Sequence, residues 1–208
     1  MMFPDPWPNN HILNTLLTKM SIGLFGEGHL AIRLPSIFSV TLYLWAIWRL
    51  IAMWDLKKSI SSVATLLAFL SLPQLLDFFS ICRGYGLSSA LVLLSLSFIV
   101  TAMQNSKDRH LVYAILIAIL ASYANFSSLV YWAALVLGVG IYLILRKRDV
   151  RQKLIHISSL GVSSLLYLAL ISQPLIKMRS TNQFKYWKEG SFFNETLVSL
   201  SQFWIDGQ

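Results

Sequence analysis

The sequence GYGLSSALVLLSLSFIVTAM, residues 84–103, contains twenty residues and no charged side chain. A helix rises 1.5 Å per residue, so about 20 residues cross the roughly 30 Å hydrocarbon layer of a bilayer. Backbone groups in lipid must be hydrogen-bonded within the chain, and the stretch is much longer than a strand of a membrane barrel. It therefore predicts a transmembrane helix.

Similar apolar segments lie on both sides of this stretch, each bounded by polar or charged residues. With the stretch 84–103 included, the six apolar segments are residues 35–54, 60–81, 84–103, 110–123, 127–145 and 155–173. The segment 110–123 is short, and we expect it to be tilted or incomplete. The pattern predicts an all-α, polytopic transmembrane bundle with about six spans.

The composition of the 208-residue chain fits this class, with 56% apolar residues, 12% charged residues and a mean hydropathy of +0.62. A soluble domain carries about twice that share of charge. The net charge of +8 is concentrated in short basic clusters between apolar segments, which is how membrane proteins fix their orientation. We therefore expect membrane lipids and no nucleic acid as partners. The single cysteine, Cys82, excludes an internal disulfide.

The short loops between segments differ in charge. The second and fourth loops together contain one basic residue, Arg83. The first, third and fifth loops contain nine: Lys57, Lys58, Lys107, Arg109, Arg146, Lys147, Arg148, Arg151 and Lys153. Basic residues mark cytoplasmic loops, so these three loops are predicted to be cytoplasmic. Arg49 lies inside the first span and is expected to extend towards the Lys57 loop.

This topology divides the chain into three parts. Residues 1–34 are predicted to form a first extracytoplasmic loop with an interfacial helix, and residues 35–173 the transmembrane bundle. Residues 174–208 would begin a further extracytoplasmic segment. Because nothing at the N-terminus would carry the first loop across the membrane, we expect the chain to lack a first transmembrane helix, as an internal piece of a longer protein or a truncated reading frame.

The interfacial helix is predicted over residues 12–24. One helical face of this segment is apolar and the other polar, as in helices that lie along the membrane surface. The apolar face contains Leu13, Leu16, Leu17, Met20 and Leu24, and the polar face Asn14, Thr18 and Ser21.

The first loop, FPDPWPNNHILNTLL, places four polar side chains close together: Asp5, Asn9, Asn10 and His11. Asn10 is a reasonable N-cap for the helix that follows. Capping and turn formation explain this cluster as well as a functional site does.

The sequence DFFSICRGYGLSS begins at Asp77 and lies at the predicted outer junction of the second and third spans. An ionisable residue at membrane depth is a functional candidate, and arginine beside the start of a helix suits a phosphate. Gly84 and Gly86 are expected to leave room for a large ligand beside Arg83. The alternative is that Asp77 and Arg83 form a structural ion pair.

Two motifs carry a resemblance to a known family. The stretch PNNHILNTLLTKMSIGLFGEGHLAIRLPS resembles the first external loop of bacterial glycosyltransferases similar to dolichyl-phosphate-mannose–protein mannosyltransferases, within the GT-C superfamily. The matching positions are Asn9, Asn10, His11, Leu24, Phe25, Gly26, Ala31, Ile32, Arg33, Leu34 and Pro35. DFFSICRGYGLSSAL is similar to the junction of that family in which a serine precedes Arg-x-Tyr. The resemblance runs from about residue 4 to residue 173.

The resemblance implies transfer of a hexose or pentose from a polyprenyl-phosphate-linked donor to an acceptor on the extracytoplasmic face. It assigns Arg83 and Tyr85 to the lipid phosphate. It assigns Asn9, Asn10 and His11 to the sugar and acceptor loop.

The family's catalytic carboxylate follows the first transmembrane helix, and Asp5 is the early carboxylate of this chain. Asp77 is a supporting residue. His29 stands at a position that is commonly acidic in relatives, and Glu27, two residues earlier, would compensate for it.

Two other functions stay open. A lipid or amphiphile transporter, or flippase, would use the same external basic groups, and a catalytically inactive fragment would only pack against other membrane proteins. No cofactor is assigned, although His11, His29 and the external carboxylates could bind a divalent cation. The expected location is a bacterial plasma (inner) membrane, as an integral multi-pass protein.

Overall fold

The computed structural model describes residues 11–53, 60–71, 73–81, 83–105, 108–145 and 150–180. These ranges contain helices and short connections and no strand, which confirms the all-α prediction. The chain divides into two compact units. One unit comprises residues 9–169, and the other comprises residues 1–8 and 170–208. Only residues 170–180 of the second unit are described, and they form the end of the last helix.

Eight α-helices and one 3-10 turn occupy these ranges. They are α1 (Ile12–Phe25), α2 (His29–Met53), α3 (Ile60–Leu70), α4 (Pro73–Ser80), α5 (Gly84–Asn105), α6 (Arg109–Ala124), the 3-10 turn Phe126–Ser128, α7 (Leu129–Leu145) and α8 (Val150–Ser180). Helix α5 packs against both α2 and α6, and α1 packs on α2. Helix α5 is therefore central to the larger unit, and both of its ends lie where several helices meet.

Three helical stretches are long and apolar enough to cross a bilayer: His29–Met53, Gly84–Asn105 and Phe126–Leu145. They indicate a membrane protein and coincide with three of the predicted spans. The predicted spans 110–123 and 155–173 correspond to shorter apolar stretches, Arg109–Ala124 and Leu160–Ser172. The predicted segment 60–81 is two helices, α3 and α4, instead of one.

Proline separates α3 from α4. In a continuous helix the carbonyl of Phe69 would accept a hydrogen bond from residue 73, which is proline and has no N–H. The hydroxyl of Tyr43 in α2 donates to the Phe69 oxygen instead, at 3.2 Å. The break is therefore compatible with an apolar environment, because the freed carbonyl has a donor from a neighbouring helix.

The same arrangement attaches α1 to α2. Pro35 lies inside α2 and leaves the carbonyl of Ala31 without its helical donor. Ser21 of α1 is buried, and its hydroxyl donates to the Ala31 oxygen at 2.6 Å. Each proline thus leaves a carbonyl without its helical donor, and a hydroxyl from another helix donates to that carbonyl instead. One of these bonds holds α1 against α2, and the other holds the end of α3 against α2.

The described ranges bury hydroxyl and small side chains among the apolar ones, and they expose many large apolar side chains. Seven buried side chains are polar: Asn14, Ser21, Ser39, Ser88, Ser95, Ser97 and Ser122. Large apolar side chains are exposed instead, including Leu24 at 75% and Trp48 at 57%. Small and hydroxyl side chains are typical of contacts between membrane helices, and exposed apolar side chains suit a surface in contact with lipid. Helix α1 follows this pattern, since Asn14 and Ser21 are buried while Met20 and Leu24 are exposed.

Candidate functional site

The first turn of α5 is in direct contact with the end of α6. Gly84 is buried, and a Cβ at this position would lie 1.9 Å from the backbone oxygen of Ala124 and 2.9 Å from the Cβ of His11. A Cβ at Gly86 would lie 2.6 Å from the ring of Phe79. The prediction that these glycines leave room for a ligand is therefore wrong for the space beside their Cα atoms, because backbone and side chains of the protein fill it.

His11 lies at the point where α1, α5 and α6 meet. It occupies the N-cap position of α1, so the helix begins one residue later than the predicted Asn10 cap implies. Its Nδ1 lies 2.8 Å from the carbonyl oxygen of Ala124. A carbonyl only accepts hydrogen bonds, so Nδ1 donates, and in the neutral ring Nε2 is left as the acceptor.

The surroundings of His11 favour the neutral ring. Burial lowers the pKa of His11 below its ordinary value of 6.5, and the positive charge of Arg83 lowers it further, while the bond to Ala124 opposes them. The ring is therefore uncharged at neutral pH and offers Nε2 as a basic nitrogen.

Tyr85 connects His11 to α4. Its ring meets the imidazole edge-on, with centroids 4.7 Å apart, and stacks on Phe78 with centroids 5.3 Å apart. The loop residue His11 and the junction residues Arg83 and Tyr85, which come from two separate motifs, are thus brought together at one end of α5.

Arg83 is exposed in the connection between α4 and α5, and its charge acts on His11. Asp77 is exposed near the end of α4. Within the described part of the chain no ion pair joins these two side chains. The alternative of a structural ion pair between Asp77 and Arg83 therefore has no support from the geometry, and the guanidinium stays available to an anion.

A cavity of about 460 Å³ opens beside Tyr85. Its lining combines aromatic rings, hydroxyl and amide groups, and aliphatic side chains: Tyr43, Phe78, Tyr85, Ser88, Ser89, Asn125, Ser127, Ser128, Val92, Leu93 and Leu96. None of these side chains carries a charge at neutral pH. Aromatic faces with hydroxyl and amide groups suit a neutral polar ligand with an apolar face, such as a sugar ring.

The polar side of the cavity is formed where α5 meets the connection between α6 and α7. The Ser88 hydroxyl lies 2.6 Å from that of Ser128 and donates to the carbonyl of Ala121 at 3.0 Å. The side chain of Asn125 accepts from the backbone of Ser127 at 3.3 Å. Sequence reasoning did not assign these residues to a site, although Asn125 lies in the predicted fourth loop, on the same predicted side of the membrane as the loop of Arg83.

The structure describes only some of the other predicted site residues. Asp5, Asn9 and Asn10 lie outside the described residues. Glu27 and His29 are exposed at the connection of α1 and α2. Where the structure describes the chain, no group of three or more His, Cys, Asp or Glu side chains could hold a metal ion. The divalent-cation site remains a prediction.

No protein-family model matches the sequence. No curated protein and no solved structure matches it either. The family resemblance therefore depends on the two motifs at residues 8–36 and 77–91.

Proposed function

We propose that this chain belongs to a membrane glycosyltransferase that moves a sugar from a polyprenyl-phosphate-linked donor to an acceptor on the extracytoplasmic face. The observation that carries the proposal is the meeting of His11, Arg83 and Tyr85. The two motifs were assigned to sugar and phosphate binding separately, and their residues share one site.

The donor phosphate is assigned to Arg83. The side chain is exposed two residues before Tyr85, which lines the cavity, and it pairs with no carboxylate among the described residues. A guanidinium presents several N–H groups to phosphate oxygens, and its charge stabilises the phosphate that leaves when the bond to the sugar breaks.

The sugar is assigned to the cavity. Tyr85 and Phe78 offer aromatic faces, and Ser88 and Asn125 offer hydrogen bonds. His11 does not line the cavity but touches Tyr85, which does, and its neutral Nε2 would accept a hydrogen bond from a hydroxyl of the sugar or the acceptor that reaches past Tyr85.

In the transfer, the bond between the sugar C1 and the phosphate oxygen breaks and a bond from C1 to the acceptor oxygen forms. The acceptor hydroxyl proton goes to a carboxylate base, the role that the resemblance gives to Asp5. The polyprenyl phosphate leaves with the electron pair of the broken bond.

The proposed arrangement in the membrane has six crossings. Three of the crossings are the long apolar helices. The other three are α3 together with α4, then α6, and then α8. The cavity then lies at the extracytoplasmic ends of the helices, because the nine basic loop residues lie at the opposite ends. Helix α1 would lie along the interface, because its 14 residues span about 21 Å and its apolar residues Met20 and Leu24 face outwards.

Sugar release from a labelled donor tests the proposal. The protein is reconstituted in vesicles with a short-chain polyprenyl-phosphate sugar and a membrane extract as the source of acceptor. We expect label to leave the donor with the wild type and with Arg151→Gln, an exposed arginine at the start of α8. Arg83→Gln should slow the release by about ten- to a hundred-fold at low donor concentration, because the donor phosphate loses its charged hydrogen bonds. An intact donor under all conditions would contradict the proposal.

A flippase is the second candidate, and the break between α3 and α4 favours it, since transporters often have interrupted helices at their binding sites. Tyr43 both lines the cavity and bonds to the break. The same vesicles separate the two functions. A flippase would move the labelled lipid to the other leaflet with its sugar still attached, whereas the transferase separates the sugar from the lipid.

A further inference from the structure

The other end of α5 holds a second polar cluster, centred on Arg49. Arg49 is four residues from the last residue of α2, Met53, or about 6 Å along the axis. Tyr85 is twelve residues before Ser97 and sixteen before Thr101 on α5, so the cluster lies about 18–24 Å along the axis from Tyr85, while the cavity beside Tyr85 extends along α5 as far as Leu96.

The guanidinium of Arg49 bonds across to α5. Its Nε donates to the hydroxyl of Ser97 at 3.0 Å, and its Nη2 donates to the hydroxyl of Thr101 at 3.3 Å. The charged group also lies 4.2 Å from the ring centroid of Phe98 and 5.6 Å from that of Trp45. The side chain is thus held in one place by two hydrogen bonds and two aromatic faces.

None of these contacts neutralises the charge. The two hydroxyls and the two rings are uncharged, and within the described ranges no carboxylate forms an ion pair with Arg49. A guanidinium has five N–H groups, and the two hydrogen bonds use two of them. An arginine inside a membrane span normally has an anionic or carbonyl partner, so the remaining N–H groups are suited to an external anion.

The surroundings place the guanidinium at the level of lipid headgroups. Trp45, Trp48 and Tyr113 are exposed around it, and tryptophan and tyrosine are typical of the membrane–water boundary. Phe98 stacks on His110 in the first turn of α6, with centroids 5.9 Å apart, next to the exposed Arg109. In the sequence, α2 is followed by Lys57 and Lys58, and α5 is followed by Lys107. The basic residues of these loops attract anions to this surface.

We infer that Arg49 binds the phosphate group of an anionic membrane lipid at the basic-loop end of the bundle. The ligand is held by the N–H groups of Arg49 that do not bond to α5, and Ser97, Thr101 and Phe98 orient the guanidinium. This site is separate from the cavity of the proposed glycosyltransferase reaction, because Arg49 and the residues that orient it do not line that cavity.

The test measures thermal stabilisation of the detergent-solubilised protein by added lipid. The probes are phosphatidylglycerol, phosphatidylcholine and inorganic phosphate, each titrated into the wild type, Arg49→Met and Arg151→Gln. We expect phosphatidylglycerol alone to stabilise the wild type and Arg151→Gln. The apparent affinity of Arg49→Met for phosphatidylglycerol should be about ten- to a hundred-fold lower, because this is the usual contribution of a hydrogen bond to a charged group.

A purely structural arginine gives a different result. It would make Arg49→Met less stable by the same amount with and without lipid, with an unchanged response to phosphatidylglycerol, and this would overturn the inference. Equal effects of phosphatidylcholine and phosphatidylglycerol, or binding of inorganic phosphate as tightly as lipid, would also overturn it. Ser97→Ala keeps the charge but loses one orienting bond, so it should weaken lipid binding less than Arg49→Met.

Discussion

The imidazole of His11 donates a hydrogen bond from Nδ1 to the carbonyl oxygen of Ala124, 2.8 Å away and 113 residues later in the chain. Ala124 is the last residue of α6, and carbonyls in the last turn of a helix have no N–H donor within the helix. His11 therefore supplies a donor to the end of α6 and anchors the start of α1 to it. The same bond fixes the tautomer that leaves Nε2 basic.

Removal of this bond should destabilise the larger unit. His11→Ala leaves the Ala124 oxygen without this donor, which costs about 1 kcal/mol and lowers Tm by about 2–4 °C in a chain of this size. His11→Asn should lose less, because the asparagine amide can donate from nearly the same position as Nδ1. Thermal unfolding in detergent at pH 7.5 measures the Tm of both variants. A Tm of His11→Ala that is equal to that of the wild type would show that the bond contributes nothing to stability.

The lowered pKa of His11 predicts a dependence on pH. Because the folded pKa lies below the unfolded value of 6.5, protonation favours the unfolded chain. The stability that His11 provides is therefore complete above pH 6.5 and is lost as pH falls through the lowered folded pKa. The difference in Tm between the wild type and His11→Asn should shrink between pH 7.5 and pH 5. Parallel curves for the two proteins over this range would contradict the lowered pKa.

Gly84 should be the least replaceable glycine of the site. Gly84→Ala places a methyl group 1.9 Å from the Ala124 oxygen, which belongs to the backbone and cannot move without shifting α6. We expect a loss of about 3 kcal/mol or more.

Gly138→Ala is the matched control for Gly84→Ala. Gly138 lies within α7, and a Cβ at that position meets no atom within 4 Å. It should cause no loss of stability in the same thermal unfolding measurement, because alanine also favours the helix. A similar loss in both variants would show that α5 and α6 are not in close contact.

The main features of the fold could be predicted from sequence because apolar length determines them. The uncharged stretch after Gly84 predicts a spanning helix directly, and α5 has the expected position. Pro73 indicates in the sequence that the helix is interrupted near residue 72. Whether the helix bends or ends there depends on which group donates a hydrogen bond to the carbonyl oxygen of Phe69. Tyr43 supplies that donor from α2, and such a tertiary contact has no local signature in the sequence.

The candidate site was predicted in parts and not as a whole. His11, Arg83 and Tyr85 were identified in separate motifs, and the sequence gives no direct measure of the packing that joins them. Gly84 was interpreted as open space, whereas its lack of a side chain allows α6 to approach. The same ambiguity applies to any glycine at the start of a helix, because a bound ligand and a neighbouring backbone both require a missing Cβ.

The bond between Ser21 and the Ala31 oxygen should depend on Pro35. Ser21→Ala removes the donor that replaces the missing N–H of Pro35 and should cost about 1 kcal/mol. In a Pro35→Ala background the new N–H can bond to Ala31, so Ser21→Ala should cost less. A double-mutant cycle measures this coupling by thermal unfolding. Additive effects would mean that the hydroxyl does not act as a substitute for the helical donor.

The last prediction separates Arg83 from its acidic neighbour Asp77. If Arg83 holds the donor phosphate, Arg83→Ala should weaken donor binding by about ten- to a hundred-fold, because a hydrogen bond to a charged partner contributes roughly 1.5–3 kcal/mol. Arg83→Lys should recover only part of the affinity, since lysine keeps the charge but lacks the planar arrangement of N–H groups. Asp77→Asn serves as the control and should change affinity less than about three-fold, because Asp77 is exposed and forms no ion pair with Arg83 in the described structure. Binding of a polyprenyl phosphate to the detergent-solubilised protein, compared with the polyprenyl alcohol, measures these changes. If Asp77→Asn and Arg83→Ala weakened binding equally and the double variant restored it, the two residues would act as a pair, and the phosphate would have to be held elsewhere.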